Sequence, residues 1–73
     1  LSYKLKLELE QLPNKMEHLE ADVEAQQNVV GDPDFFKQDS DITTKALNHL
    51  AQLESDLEAA FERWEELEEL QNQ

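Results

Sequence analysis

At 73 residues the chain is one domain at most, and a domain this small buries only about 60% of the surface its unfolded form exposes, so its core must be a thin seam. With no cysteine there is no disulfide to staple it, and net stability is expected in the range of about 3–5 kcal/mol. Eighteen acidic residues against six basic ones give a formal net charge of −12, which opposes approach to DNA, RNA or anionic lipid and favours a basic protein surface as partner.

The first apolar ladder is Leu5, Leu9, Leu12, Met16, Leu19, Val23, Gln26 and Val30, alternating steps of four and three. That rhythm is a heptad seam and predicts a helix over residues 3–30, with Gln26 as its one polar break. Leu5 to Leu9 also alternates with period two, but with no second strand to pair with, the helix is preferred. Pro13 falls inside the ladder, where it removes one backbone hydrogen bond and crowds the carbonyl of Leu9, so a kink or a tight 3₁₀ turn is expected at about residues 9–13.

Residues 31–40 form the corner and contain the only glycine. Gly31 is suited to a left-handed helix end, Asp32 to capping a new turn and Pro33 to opening it, so a short helical turn is expected at 33–37. Phe35 and Phe36 are expected to fold back together and close the bottom of the seam. Asp39, Ser40 or Asp41 then caps a second helix over residues 41–71.

That helix carries its own ladder, Ala46, Leu50, Leu53, Leu57, Ala60, Trp64 and Leu67, widened by Leu47 and Phe61. Two helices of similar length joined by a short corner lie antiparallel, with facing residue numbers summing to roughly 69–76 and the upper end preferred. There Leu12 meets Trp64, Met16 meets Ala60, Leu19 meets Leu57 and Val23 meets Leu53. The fold class is all-α: a two-helix antiparallel coiled-coil hairpin, a single domain over residues 1–73 that reads as a segment of something longer.

No apolar run approaches the roughly 20 residues of a membrane span, and no signal sequence opens the chain, so a cytoplasmic location is expected and a membrane is not a partner. His18 and His49 have no cysteine to join them, and the ladder leaves His18 outside the seam, so both are read as solvated rather than metal-bound. Catalysis by paired carboxylates needs a cleft that separates their pKa values, and a hairpin offers none; nor is there a phosphate loop or an activated serine. The segment is therefore not expected to be an enzyme, and no cofactor is expected in it.

Glu58, Glu62, Glu65, Glu66, Glu68 and Glu69 crowd the end of the second helix, where the dipole prefers cations and i,i+4 neighbours repel. The simplest relief is across the seam, with Lys4 and Lys6 beside Glu68 and Glu69, and Lys15 beside Glu58 or Glu62. Lys4, Gln11, Lys15 and His18 share one stripe that could follow phosphates, interrupted by Glu8 and Asp22. Trp64 reads as core; Tyr3, near the frayed start, is the better candidate for outside contact.

The ordered fragments Leu1-Ser2-Tyr3-Lys4, Glu8-Leu9-Glu10-Gln11-Leu12-Pro13, Asp32-Pro33-Asp34-Phe35-Phe36 and Phe61-Glu62-Arg63-Trp64-Glu65-Glu66-Leu67-Glu68 together resemble the C-terminal domain of Uup-type ATPases, bacterial members of the F subfamily of ATP-binding-cassette proteins. The resemblance covers essentially the whole chain. It implies a cytoplasmic, ribosome-associated parent with two cassettes that bind ATP and magnesium, and a hairpin that serves as an accessory nucleic-acid-binding element. The basic residues available for this are Lys4, Lys6 and Lys15, too few for more than weak, salt-dependent binding to DNA or ribosomal RNA in isolation. A second reading takes Glu62, Glu65, Glu66 and Glu69 as a docking face for a basic ribosomal protein or for the parent's own cassettes. A third, self-association into a four-helix bundle, is opposed by the charge on each copy, so a monomer is expected.

Overall fold

The computed structural model describes residues 1–73. Helix α1 runs from Tyr3 to Val30, a three-residue 3₁₀ segment from Phe35 to Lys37 follows, and helix α2 runs from Ser40 to Gln71. The helices pack along their length into a hairpin 52 Å long and 16 Å across.

Each end is closed by local chemistry. The Leu5 amide donates to Ser2 Oγ at 3.2 Å, which satisfies one of the unpartnered donors of the first turn of α1. At the corner the Asp34 amide donates to Asp32 Oδ1 at 2.7 Å and the Phe35 amide to the Asp32 carbonyl at 2.9 Å, so Asp32 starts the new turn. Asp39 caps α2, its carbonyl accepting from Ile42 and Thr43 at 3.0 and 3.1 Å.

Two expectations for the corner need correction, and of the two forms expected at Pro13 the 3₁₀ turn is not the one adopted. Gly31 is right-handed, with φ −85° and ψ −4°; the chain leaves α1 by continuing its helical turn onto the Gln27 carbonyl. What a side chain would meet there is that carbonyl oxygen, 3.0 Å from where a Cβ would stand. Around Pro13, α1 is continuous and the 3₁₀ turn is absent. Leu9 and Leu12 are both buried beside it, and their packing holds the helix together across the one missing hydrogen bond. The two phenylalanines part company: Phe35 is 1% exposed and Phe36 73%. Their rings meet edge to face at 4.9 Å. Consecutive residues of a 3₁₀ turn point about 120° apart, so only one can enter the seam.

The core is the predicted seam. Leu9, Leu12, Ala60 and Leu67 form one buried cluster, with Leu5, Met16, Leu19 and Trp64 packed against it, so Leu12 and Trp64, and Met16 and Ala60, belong to the same assembly. Lower down, Val23 and Leu53 are buried. Gln26 keeps its place in the ladder by donating its side-chain amide to the Ala46 carbonyl at 3.0 Å across the seam. Thr43, also buried, donates its hydroxyl to the Ser40 carbonyl at 3.0 Å. No helix is long and apolar enough to cross a membrane.

Candidate nucleic-acid interface

Helical phase sorts the charges onto two faces. At 3.6 residues per turn, steps of three and four stay on one side of a helix. Lys4, Glu8, Gln11, Lys15, His18 and Asp22 therefore form one stripe of α1, and Lys45, His49, Gln52, Asp56, Arg63 and Glu66 one stripe of α2. The two stripes flank the same groove, lined by Glu8, Gln11 and Lys15 from one helix and Asp56, Ala59 and Arg63 from the other, over Leu12, Leu19 and Ala60.

On this face four bases, Lys4, Lys15, Lys45 and Arg63, stand among four acids, Glu8, Asp22, Asp56 and Glu66, and the charges cancel. The opposite face has Lys6 alone against Glu10, Glu17, Glu20 and Glu24 of α1 and Glu54, Glu58, Glu62, Glu65, Glu68 and Glu69 of α2. The formal charge of −12 thus resides wholly on that opposite face and on the aspartate-rich corner.

One ion pair bridges the groove. Arg63 donates from Nε to Glu8 Oε2 at 2.6 Å and from Nη2 to Glu8 Oε1 at 3.1 Å, a bidentate fork, while Nη1 donates to Glu66 Oε1 at 3.1 Å. The hydrogen bond from Arg63 holds the Glu8 carboxyl below the usual carboxylate range, its charge adds to the effect, and the charges of Lys15 and Lys4 add further. Reciprocally, the hydrogen bond to Glu8 raises the pKa of Arg63.

The expected pairing of Lys4, Lys6 and Lys15 with glutamates of α2 does not occur; none of the three makes an ion pair. Lys4 and Lys15 turn toward the groove, while Glu58, Glu62, Glu68 and Glu69 turn to the other side. Lys6 shares that other side yet stays hydrated, since an exposed lysine gains little from a surface carboxylate. The candidate lysines therefore do not form one site: Lys4 and Lys15 share a face and Lys6 opposes them. The acidic set divides too, with Glu66 bonded to Arg63 and Glu62, Glu65 and Glu69 exposed beyond the other edge of the helix.

Sequence reasoning overlooked Lys45 and Arg63 as members of the basic face. The signal was present, because residues 45 and 63 differ by about five whole turns and so share a phase. His18 and His49 are exposed, and no group of three or more histidine or acidic side chains is placed to hold a metal ion. Trp64 is half-buried in the seam, whereas Tyr3 is 81% exposed.

Residues 1–69 match the ABC transporter C-terminal domain family. The chain is 56% identical over 72 residues to the ATP-binding protein Uup of Escherichia coli, a match that takes in 99% of this chain and 11% of that protein. It is 53% identical over 72 residues to an ATP-binding protein Uup-like of Haemophilus influenzae, covering 99% of this chain and 16% of the relative. It thus spans only a small part of the length of these curated relatives. A solved structure of the C-terminal domain of the Uup protein, described as a DNA-binding coiled coil motif, is similar with a TM-score of 0.90 and 56% identity, over 99% of this chain and 85% of that one.

Proposed function

This chain belongs to the ABC transporter C-terminal domain family, and from that premise we propose that it is the accessory coiled coil of a Uup-like ATPase of the F subfamily, contributing DNA binding through the face that carries Lys4, Lys15, Lys45 and Arg63. The parent is cytoplasmic, and its cassettes, not this hairpin, bind ATP and magnesium. Residues 1–73 act within it as one domain, monomeric in isolation. Duplex DNA is favoured over ribosomal RNA because the similar domain of solved structure is described as binding DNA.

The observation that carries this reading is the segregation of charge. A chain of net charge −12 repels a phosphate backbone on average. Gathering four of its six bases on one face, with the uncompensated acids turned away, leaves a single surface that phosphates can approach. Lys4 and Lys15 stand about 16 Å apart along α1 at a rise of about 1.5 Å per residue, so they track a backbone rather than grip one phosphate. Arg63 positions the face through Glu8, with 36% of its side chain accessible.

A chemical-shift titration of the 73-residue chain with a short DNA duplex at two salt concentrations tests the proposal. Shifts are expected along Lys4, Lys15, His18, Lys45 and His49 and weaken at the higher salt. Changing Lys4, Lys15 and Lys45 together to glutamate removes them, and Lys6→Glu leaves them in place. Undiminished binding by the triple variant, or loss with Lys6→Glu alone, rules the face out.

A further inference from the structure

Away from the basic face, the helices part into a second groove whose apolar lining is Val23, Leu57 and Phe61 and whose rim is Glu20, Glu54 and Glu58. Phe61 is 50% exposed, an unusual condition for a large aromatic in the middle of a packed hairpin. Its ring leans on Trp64, with centroids 6.1 Å apart and planes inclined by 33°. One side of the ring is thereby steadied and the other left open. Leu47, 40% exposed, continues the same line of α2 two heptads toward its start.

We propose that this groove is a docking site for a cationic amphipathic helix of a partner protein, with an apolar side chain seated against Phe61 and Leu57 and lysine or arginine side chains reaching Glu20, Glu54 and Glu58. Charge complementarity selects that occupant. The rim has three carboxylates and no base, and Glu17, Glu24, Glu62 and Glu65 extend the same sign around it. Nucleic acid, anionic lipid and a second copy of this chain are all repelled there. A helix fits because the groove runs between two packed helices, and a third helix laid along it completes a bundle, with anchors three or four residues apart meeting the line of Leu57 and Phe61. The flanking charges set register and exclude other partners, while the buried anchor supplies affinity. This site lies on the reverse of the DNA face and does not depend on that reading.

The test uses a synthetic helix-forming peptide of about five turns, with leucines on one stripe and lysine and arginine on its flanks, against a control of equal charge whose leucines are replaced by glutamine. Chemical shifts of the 73-residue chain are expected to move at Val23, Leu57 and Phe61 and not at Lys15 or Lys45. Binding should weaken about tenfold with the control peptide, with Phe61→Ala and with the pair Glu54→Gln and Glu58→Gln, which is about 1.4 kcal/mol each. Phe61→Leu, which keeps an apolar side chain on the groove, should retain most of the affinity. Equal binding of the two peptides, shifts confined to the lysine-bearing face, or a chain that dimerises through this groove in sedimentation would each overturn the proposal.

Discussion

Arg63 of α2 holds Glu8 of α1 with two parallel hydrogen bonds, 2.6 Å from Nε and 3.1 Å from Nη2, and this is the only ion pair that crosses the seam. The acidic helix α2 therefore supplies the cation and α1 the anion, the reverse of what counting charges on each helix leads one to expect. Both side chains remain about a third exposed, at 36% and 38%, so the pair fixes rotation and register more than it adds stability.

The pair should be visible in a pH series. The folded Glu8 carboxyl lies below its ordinary value of 4.5, so its contribution is present above that pH and fades as pH falls through the depressed folded value. Glu8→Gln should melt slightly lower than the parent sequence at pH 7, and the gap should begin to close as pH falls below about 4.5 and vanish below the depressed folded value. Neutralising the other acids raises both melting temperatures, so the difference between the curves is the quantity to follow. A gap that stays constant from neutral to strongly acid pH would show that Arg63 does not act on the charge of Glu8.

Gln26 occupies a seam position but spends its side chain on the Ala46 carbonyl. A single polar side chain in a heptad seam fixes alignment at the expense of apolar burial there. Gln26→Leu should raise the urea midpoint. It should also broaden amide resonances near Ala46 as the register loosens, because a single polar seam residue specifies alignment at a cost in stability. A lowered midpoint would contradict this account of Gln26.

Phe35 and Phe36 form an internal control. Truncating a fully buried phenylalanine costs about 3–5 kcal/mol, which equals the whole stability expected of so small a domain. Phe35→Ala should therefore be largely unfolded by circular dichroism at 25 °C. Phe36→Ala, at a side chain 73% exposed, should fall within about 0.5 kcal/mol of the parent. Comparable losses from both would mean that the corner closes differently.

Salt dependence gives a count of phosphate contacts. If Lys4, Lys15, Lys45 and Arg63 each neutralise one phosphate, the slope of log affinity against log salt approaches about −3.6, and each lysine changed to glutamine reduces it by about 0.9. Lys6→Gln should leave the slope where it was. A slope near zero for the unmodified chain would remove phosphate contact from the proposal.

The hairpin itself was determined by the amino-acid sequence alone. Two heptad ladders, each useless in water, and a corner rich in turn formers admit few other arrangements, and Asp32 and Asp39 act at the ends they mark because capping is a matter of three or four neighbouring residues. Tertiary structure decided what depends on distance across the seam. A lysine stem reaches several carboxylates, so the partners of Lys4, Lys6 and Lys15 could not be read from charge, and only the relative rotation of the helices turned two of them toward the groove. Glu8 with Arg63 and the open edge of Phe61 follow from the same cause, whereas Phe35 and Phe36 part through the local geometry of the 3₁₀ turn they share. Periodicity determines which side of its own helix a residue occupies, but the packing of the second helix determines what that side meets.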